Sequence, residues 1–211
     1  MTREFFRVRV KQLTLRREPT VLSEILAYVP QGEVVEQLGK SEKGDWVRAR
    51  RNGVEGWLYK RCMNPEPSPW LTIARRELGV REFPGNANNP RVVEYLSATR
   101  NLGSSVRSKD ETPWCSAFVN WCMQQVGIKG TQNALARSWQ EWGKRLDEPY
   151  VGCIVVFQRE KKFGHVGFYL GETETHIRVL GGNQQNPETG VFEVSEKSYP
   201  KVDFLEYRSL A

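Results

Sequence analysis

The chain has 211 residues, 39% hydrophobic and 27% charged, with a formal net charge of +6, four cysteines and two histidines. That balance is ordinary for a globular protein, and no stretch approaches the roughly 20 consecutive apolar residues of a membrane-spanning helix, so membrane insertion is not expected. The positive charge suits a polyanionic partner. However, there is no long basic run interleaved with aromatics, no zinc-finger spacing and no Gly-rich phosphate loop, so nucleic acid is not expected as that partner.

At the N-terminus, Met1-Thr2-Arg3-Glu4-Phe5-Phe6-Arg7-Val8-Arg9-Val10 places charges where an export signal needs an uninterrupted apolar core. Synthesis is therefore expected to end in the cytoplasm, without a Sec signal. Cys62, Cys115, Cys122 and Cys153 form no CxxC pair and no familiar zinc spacing. Free thiols, no metal and no cofactor are the expectation.

From about residue 8 to 63, short apolar runs are punctuated by turn residues roughly every 8–12 positions, the pattern of a small all-β barrel or sandwich. Strands are expected at 13–16, 33–38, 45–50 and 55–59. Asn52-Gly53 between the last two is a strong hairpin signal, and Trp46 and Trp57 flank that hairpin, to seal a small core or form an aromatic patch. The order Leu13-Thr14-Leu15-Arg16, Glu18-Pro19-Thr20, Gln31-Gly32-Glu33, Gly44-Asp45-Trp46-Val47 and Gly53-Val54-Glu55-Gly56-Trp57-Leu58 resembles a bacterial SH3-like domain. The resemblance implies an SH3-like barrel over residues 1–63 that holds an attached enzyme on peptidoglycan and performs no chemistry itself.

Asn64-Pro65-Glu66-Pro67-Ser68-Pro69 follows, with prolines at alternate positions that favour an extended connector over 64–69. Beyond it, 70–78 reads as a helix stopped by Gly79, and 90–99 as a helix opened by Pro90. Helical texture continues to about residue 142, after which 153–157, 165–170, 177–180 and 204–207 read as strands. A second domain over 70–211 is therefore expected to be α+β, helices first and an antiparallel sheet second.

The segment Thr112-Pro113-Trp114-Cys115 reads as a helix start, with Thr112 as N-cap and Pro113 in the first helical position. Cys115 then sits in the first turn, where unpaired amides and the helix dipole favour a thiolate and offer an oxyanion site. Cys122, seven residues on, has neither advantage. A thiol nucleophile needs a base, and the choice lies between His165 and His176. His165, in Phe163-Gly164-His165-Val166-Gly167, is flanked by small residues that give access; His176 follows the polar turn Glu172-Thr173-Glu174-Thr175 and reads as a solvated strand end.

Pro113-Trp114-Cys115-Ser116-Ala117-Phe118-Val119, then Ile154-Val155-Val156-Phe157, then Gly164-His165-Val166-Gly167-Phe168-Tyr169-Leu170-Gly171 resemble the ordered blocks of the NlpC and CHAP peptidoglycan hydrolases, which are papain-like cysteine peptidases. The resemblance implies Cys115 as nucleophile, His165 as base and Asn183, on the next strand, as the third residue that orients the imidazole; its neighbour Gln184 is the competitor for that role and otherwise a substrate-binding residue. It implies further that Trp114 could wall the cleft and that Asp110 could contact substrate, the alternative for Asp110 being charge complementarity at a helix start. One departure is Cys153, which stands where these families commonly carry an acid.

The expected activity is cleavage of an amide bond in the wall peptide, by an endopeptidase or N-acetylmuramoyl-L-alanine amidase. Action at the wall or periplasm then requires a Sec-independent route: phage lysis, a secretion machine, or delivery into a rival cell, where an immunity protein becomes a partner. Two alternatives stay open: a thiol acyltransferase or deamidase acting on proteins, and a non-catalytic wall-binding or phage structural protein in which Cys115 is unreactive.

Overall fold

The structure is a computed structural model that describes residues 4–66, 68–159 and 163–210. Pro67, in the expected connector, lies outside the described residues. The chain divides into two units, Met1–Pro69 and Trp70–Ala211.

The first unit is all β. Strands β2 (Gln12–Arg16), β3 (Ile25–Pro30), β5 (Gly39–Lys40), β6 (Trp46–Arg51) and β7 (Val54–Tyr59) form a sheet of order β3-β2-β7-β6-β5. β1 (Phe5–Val8), β4 (Val34–Glu36) and β8 (Met63–Pro65) form a second sheet of order β4-β1-β8. Alternation decides which side chains enter the core: in β6, Val47 and Ala49 are buried while Arg48 and Arg50 point out. With Leu13, Leu15, Val29, Leu58 and Met63 they make one apolar cluster.

The Asn52-Gly53 turn has φ of 47° and 82°, the left-handed pair that matches the twist of a two-residue hairpin. Two features differ from the sequence reading. The strands lie in two sheets and do not close into a barrel, because β1 pairs with β4 and β8 and leaves the larger sheet's ladder open. Asn64 and Pro65, read as connector, pair with Arg7 and Phe6 in β8.

In the second unit, α1 (Pro69–Arg76), α2 (Pro90–Ser97), α3 (Ser104–Arg107) and α4 (Cys115–Gln125) precede an antiparallel sheet. Its strands are β9 (Lys144–Leu146), β10 (Ile154–Arg159), β11 (Phe163–Glu172), β12 (His176–Gln185), β13 (Phe192–Pro200) and β14 (Phe204–Ser209), in the order β13-β12-β11-β10-β14-β9. Pro90 opens α2 behind Asn89, whose side chain accepts from the Arg91 amide at 2.9 Å.

Ile154, Val155, Val156 and Phe157 are all buried because the sheet is covered on both faces. Phe168 meets Phe118 of α4 on one face, with ring centroids 6.4 Å apart. Val155, Phe157, Tyr169, Ile177 and Val179 cluster on the other. Gly182 lets α4 approach: a Cβ there would lie 2.3 Å from the Trp114 ring. Among the described residues no helix is long and apolar enough to cross a membrane.

Candidate active site in the second unit

Cys115 is the first residue of α4. The N-cap position belongs to Trp114, not Thr112; the Thr112 hydroxyl donates to the Val106 carbonyl at 2.7 Å, so it holds the preceding loop and caps nothing. The helix from Cys115 to Met123 is buried throughout, and Cys115 itself is only 4% exposed. This corrects the electrostatic expectation. Burial pushes the Cys115 thiol above its ordinary value, and Arg159 with the amides of Val166, Ser116 and Cys115 only partly offsets it.

His165 lies on β11 opposite Phe157 of β10 and is fully buried. Burial holds its pKa well below the ordinary value; Arg159 lowers it further, Gln184 works in the opposite direction, and Lys197 lowers it again. Neither ring nitrogen makes a hydrogen bond of good geometry. The imidazole packs against the Tyr199 ring, centroids 4.8 Å apart and 31° from parallel. The backbone amide adjoining His165, that of Val166, acts on Cys115, and Tyr199 feels both the Cys115 thiolate and Arg159. Cys115, His165, Tyr199 and Arg159 thus share one neighbourhood.

The carboxamide beside the imidazole is that of Gln184. A side-chain carbon on Gly181 would lie 3.3 Å from His165 Nε2 and 3.4 Å from Gln184 Cδ, so the two groups close over the same glycine. Asn183, the residue expected to orient the imidazole, is turned away by the backbone. The β12–β13 register shifts between Gly181 and Gln184, and Asn183 takes a left-handed φ of 57° within that bulge. The extra residue returns position 184, instead of 183, to the face of Gly181.

Gln184 is fully buried and tightly held. Its Nε2 donates to the carbonyls of Gly181, at 3.1 Å, and Ser195, while its Oε1 accepts from the Tyr199 hydroxyl at 3.0 Å. Two carbonyls on the amide nitrogen fix which end is oxygen, and that oxygen faces the Tyr199 side of the imidazole.

Trp114 and Asp110 do not face a cleft. Trp114 is fully buried against Tyr95 and Phe118, and its indole donates to Glu82 at 2.8 Å. Asp110 is fully buried as well. Its carboxylate accepts from the amides of Phe83, at 2.9 Å, and Asn89, at 2.8 Å, and its own amide donates to Asn88 Oδ1 at 2.9 Å. It ties down the irregular stretch 81–90, including the Asn89 amide at the start of α2, and is enclosed by the protein.

Cys153 lies in the apolar cluster with its thiol pushed up to about 12 by burial. Its backbone is held by the Cys153 N–H donating to the Tyr150 carbonyl at 2.9 Å and by its carbonyl accepting from the Tyr169 N–H at 2.8 Å. His176 is exposed at the start of β12, its Nδ1 2.9 Å from the Thr175 hydroxyl. Among the described residues no group of three or more His, Cys, Asp or Glu is placed to hold a metal.

Sequence reading missed Tyr199 and Arg159. Tyr199 lies on β13, whose outward residues are polar and whose apolar signal is correspondingly thin. Arg159 closes an apolar run and carries no motif of its own.

A bacterial SH3 domain model matches residues 9–64, and a CHAP domain model matches residues 107–183. Solved structures similar to the chain include NlpC2 from Trichomonas vaginalis (14% identity, TM-score 0.41, covering 99% of this chain and 72% of that one). NlpC1 from the same organism (15%, 0.40, 99% and 69%) and an NlpC/P60 endopeptidase from Photobacterium damselae subsp. piscicida (12%, 0.29, 98% and 70%) also match. No curated protein matches the chain at a significant level. A bacterial SH3 domain model thus matches within the first unit and a CHAP domain model within the second, and the CHAP match spans both Cys115 and His165.

Proposed function

We propose that the protein is a peptidoglycan hydrolase that cleaves an amide bond of the wall peptide by thiol chemistry, as an endopeptidase or an N-acetylmuramoyl-L-alanine amidase. The observation that carries this reading is a cysteine opening a buried helix and a buried strand histidine that share Arg159 and Tyr199 as neighbours, both within the stretch a CHAP domain model matches.

The directions of the two pKa shifts make the resting pair a neutral thiol and a neutral imidazole. His165 then acts as a general base: it takes the Cys115 proton as Sγ attacks the amide carbonyl, and the imidazolium gives that proton to the departing amine. Water, deprotonated by the same imidazole, cleaves the resulting thioester and releases the carboxylic acid. Gln184 is the positioning residue, its Oε1 accepting from Nε2–H of the imidazolium while Tyr199 holds that oxygen in place. Amides at the start of α4 receive the charge that develops on the carbonyl oxygen.

The SH3 domain supplies docking. An open cleft of about 550 Å³ lies between Glu18, Lys40, Asp45, Trp46 and Trp57, with Trp46 buried and Trp57 half-buried. Wall binding there raises the local substrate concentration without touching the chemistry. Action at the wall or periplasm belongs to the same reading.

The test is incubation of wild type and Cys115→Ala with purified peptidoglycan, followed by mass spectrometry of the soluble fragments. New amine and carboxyl ends from wild type alone establish the hydrolase and identify the bond. Intact peptidoglycan with both proteins turns the reading to acyl transfer or deamidation of a protein, or to wall binding alone.

A further inference from the structure

The charges around Cys115 and His165 are of one sign. Phe157 stands directly opposite His165 in the β10–β11 ladder, and Arg159, two residues on, emerges on the same face. Its guanidinium lies 5.8 Å from the centre of the Tyr199 ring and donates to the Tyr199 hydroxyl at 3.3 Å. Tyr199 in turn packs on the imidazole, so the cation is one side chain away from the proposed base. Lys197, from β13, acts on His165 with the same sign, its Nζ donating to the Gln185 carbonyl at 3.0 Å.

Among the described residues no carboxylate answers these cations. Arg7, Arg48, Arg51 and Arg91 each pair with a glutamate. Arg159 is exposed, and among the described residues no carboxylate pairs with it. A guanidinium beside a general base is an obstacle in the empty site, since it disfavours the imidazolium that the reaction must form. That obstacle disappears if the missing anion arrives with the substrate.

We infer that Arg159 is a specificity residue that binds a free carboxylate of the substrate next to the scissile amide, through charge-assisted hydrogen bonds from its exposed guanidinium. The hydrolase reading supplies the scissile bond; the anion site itself rests only on Arg159, Tyr199 and their place beside His165. Wall peptides with a free carboxylate on a residue flanking the cleaved bond are then preferred over peptides that carry a carboxamide there. Binding also neutralises the cation and restores basicity to His165, so the preference acts on kcat as well as KM.

Two measurements on the full chain test this. In the first, Cys115 is alkylated with iodoacetate and, separately, with iodoacetamide, and the Cys115 peptide is quantified by mass spectrometry. The two reagents differ only in carboxylate against carboxamide. The iodoacetate-to-iodoacetamide rate ratio should fall by about tenfold in Arg159→Gln, the worth of one charge-assisted hydrogen bond, and be largely kept in Arg159→Lys. An unchanged ratio in Arg159→Gln overturns the inference.

In the second, matched wall peptides with carboxylate or carboxamide beside the cleaved bond are compared. Wild type should favour the carboxylate by roughly 10- to 100-fold in kcat/KM, and Arg159→Gln should favour neither. Equal cleavage of both peptides by wild type also overturns the inference. The two readings fail separately: a ratio that falls in Arg159→Gln without hydrolysis of any wall peptide keeps the anion site and removes the hydrolase, and hydrolysis with an unchanged ratio does the reverse.

Discussion

The two units treat polar groups in opposite ways. In the first, charge stays at the surface, as in Arg17–Glu24 and the Arg48, Arg50 and Glu55 cluster, and the core is purely apolar. In the second, Glu77, Asp110, Asn120, His165, Gln184 and Glu206 are all buried. A buried polar group has to find partners within the protein or leave its desolvation uncompensated, so each one organises structure around itself. Glu77 collects Arg91 and Tyr95, Asp110 collects the 81–90 loop, and Gln184 collects Gly181, Ser195 and Tyr199. His165 is the exception, with neither ring nitrogen hydrogen-bonded, which leaves both free for the proton transfer proposed for it.

Chemistry should therefore be lost by changes in the second unit only. The largest expected effect is Cys115→Ala, which should lower fragment release by at least about 1000-fold while the circular dichroism spectrum stays unchanged. Gln184→Ala should lower kcat by on the order of 100-fold with KM nearly constant. It should also move the acid limb of the pH profile to lower pH, because Gln184 is the group that raises the imidazole pKa. Asn183→Ala should leave that limb in place, and a shift there would return the positioning role to Asn183.

Stability separates the units next. Gly182→Ala sets a methyl 2.3 Å from the Trp114 ring and 2.8 Å from Phe118 Cβ, and should destabilise the second unit by about 3 kcal/mol. Gly53→Ala has open space around it and only the left-handed φ of 82° against it, so the first unit should lose about 1 kcal/mol. Calorimetry that resolves the two transitions checks both.

The smallest effect is one of pH. Both histidines lie in the second unit. Folded His165 has a depressed pKa, so its neutral form contributes stability above the ordinary 6.5 that is lost as pH falls toward the folded value. Between pH 6.5 and about 5 the second transition should move down while the first stays nearly level. His165→Ala should flatten the second; an equal drop in both transitions would contradict this account.

Much of this was legible in the order of residues. Asn52-Gly53 announced its hairpin because few residues accept two successive left-handed conformations. Ile154-Val155-Val156-Phe157 announced a strand, and Pro90 announced a helix. Cys115 and His165 stood out because a cysteine near a helix start and a histidine among glycines are unusual as plain core. The stretch 81–90 was illegible because a buried carboxylate, Asp110, more than 20 residues away in sequence, holds it through backbone amides. The exposed pattern of β13 hid Tyr199.

The sequence by itself determined that a β-rich part precedes an α+β part, where the 52–53 hairpin and several of the strands and helices fall, and which cysteine stands near a helix start and which histidine stands on a buried strand. These follow from local backbone preference and from periodic burial, which neighbouring residues encode among themselves. Only the tertiary structure decided that Gln184 instead of Asn183 meets the imidazole, that Trp114 and Asp110 are internal supports, and that Arg159 has no carboxylate partner among the described residues. A bulge inverts the strand's parity, a closed core removes a tryptophan from solvent, and a cation's partners depend on what other strands bring near it. Each is a relation between segments distant in sequence, and no local pattern records it.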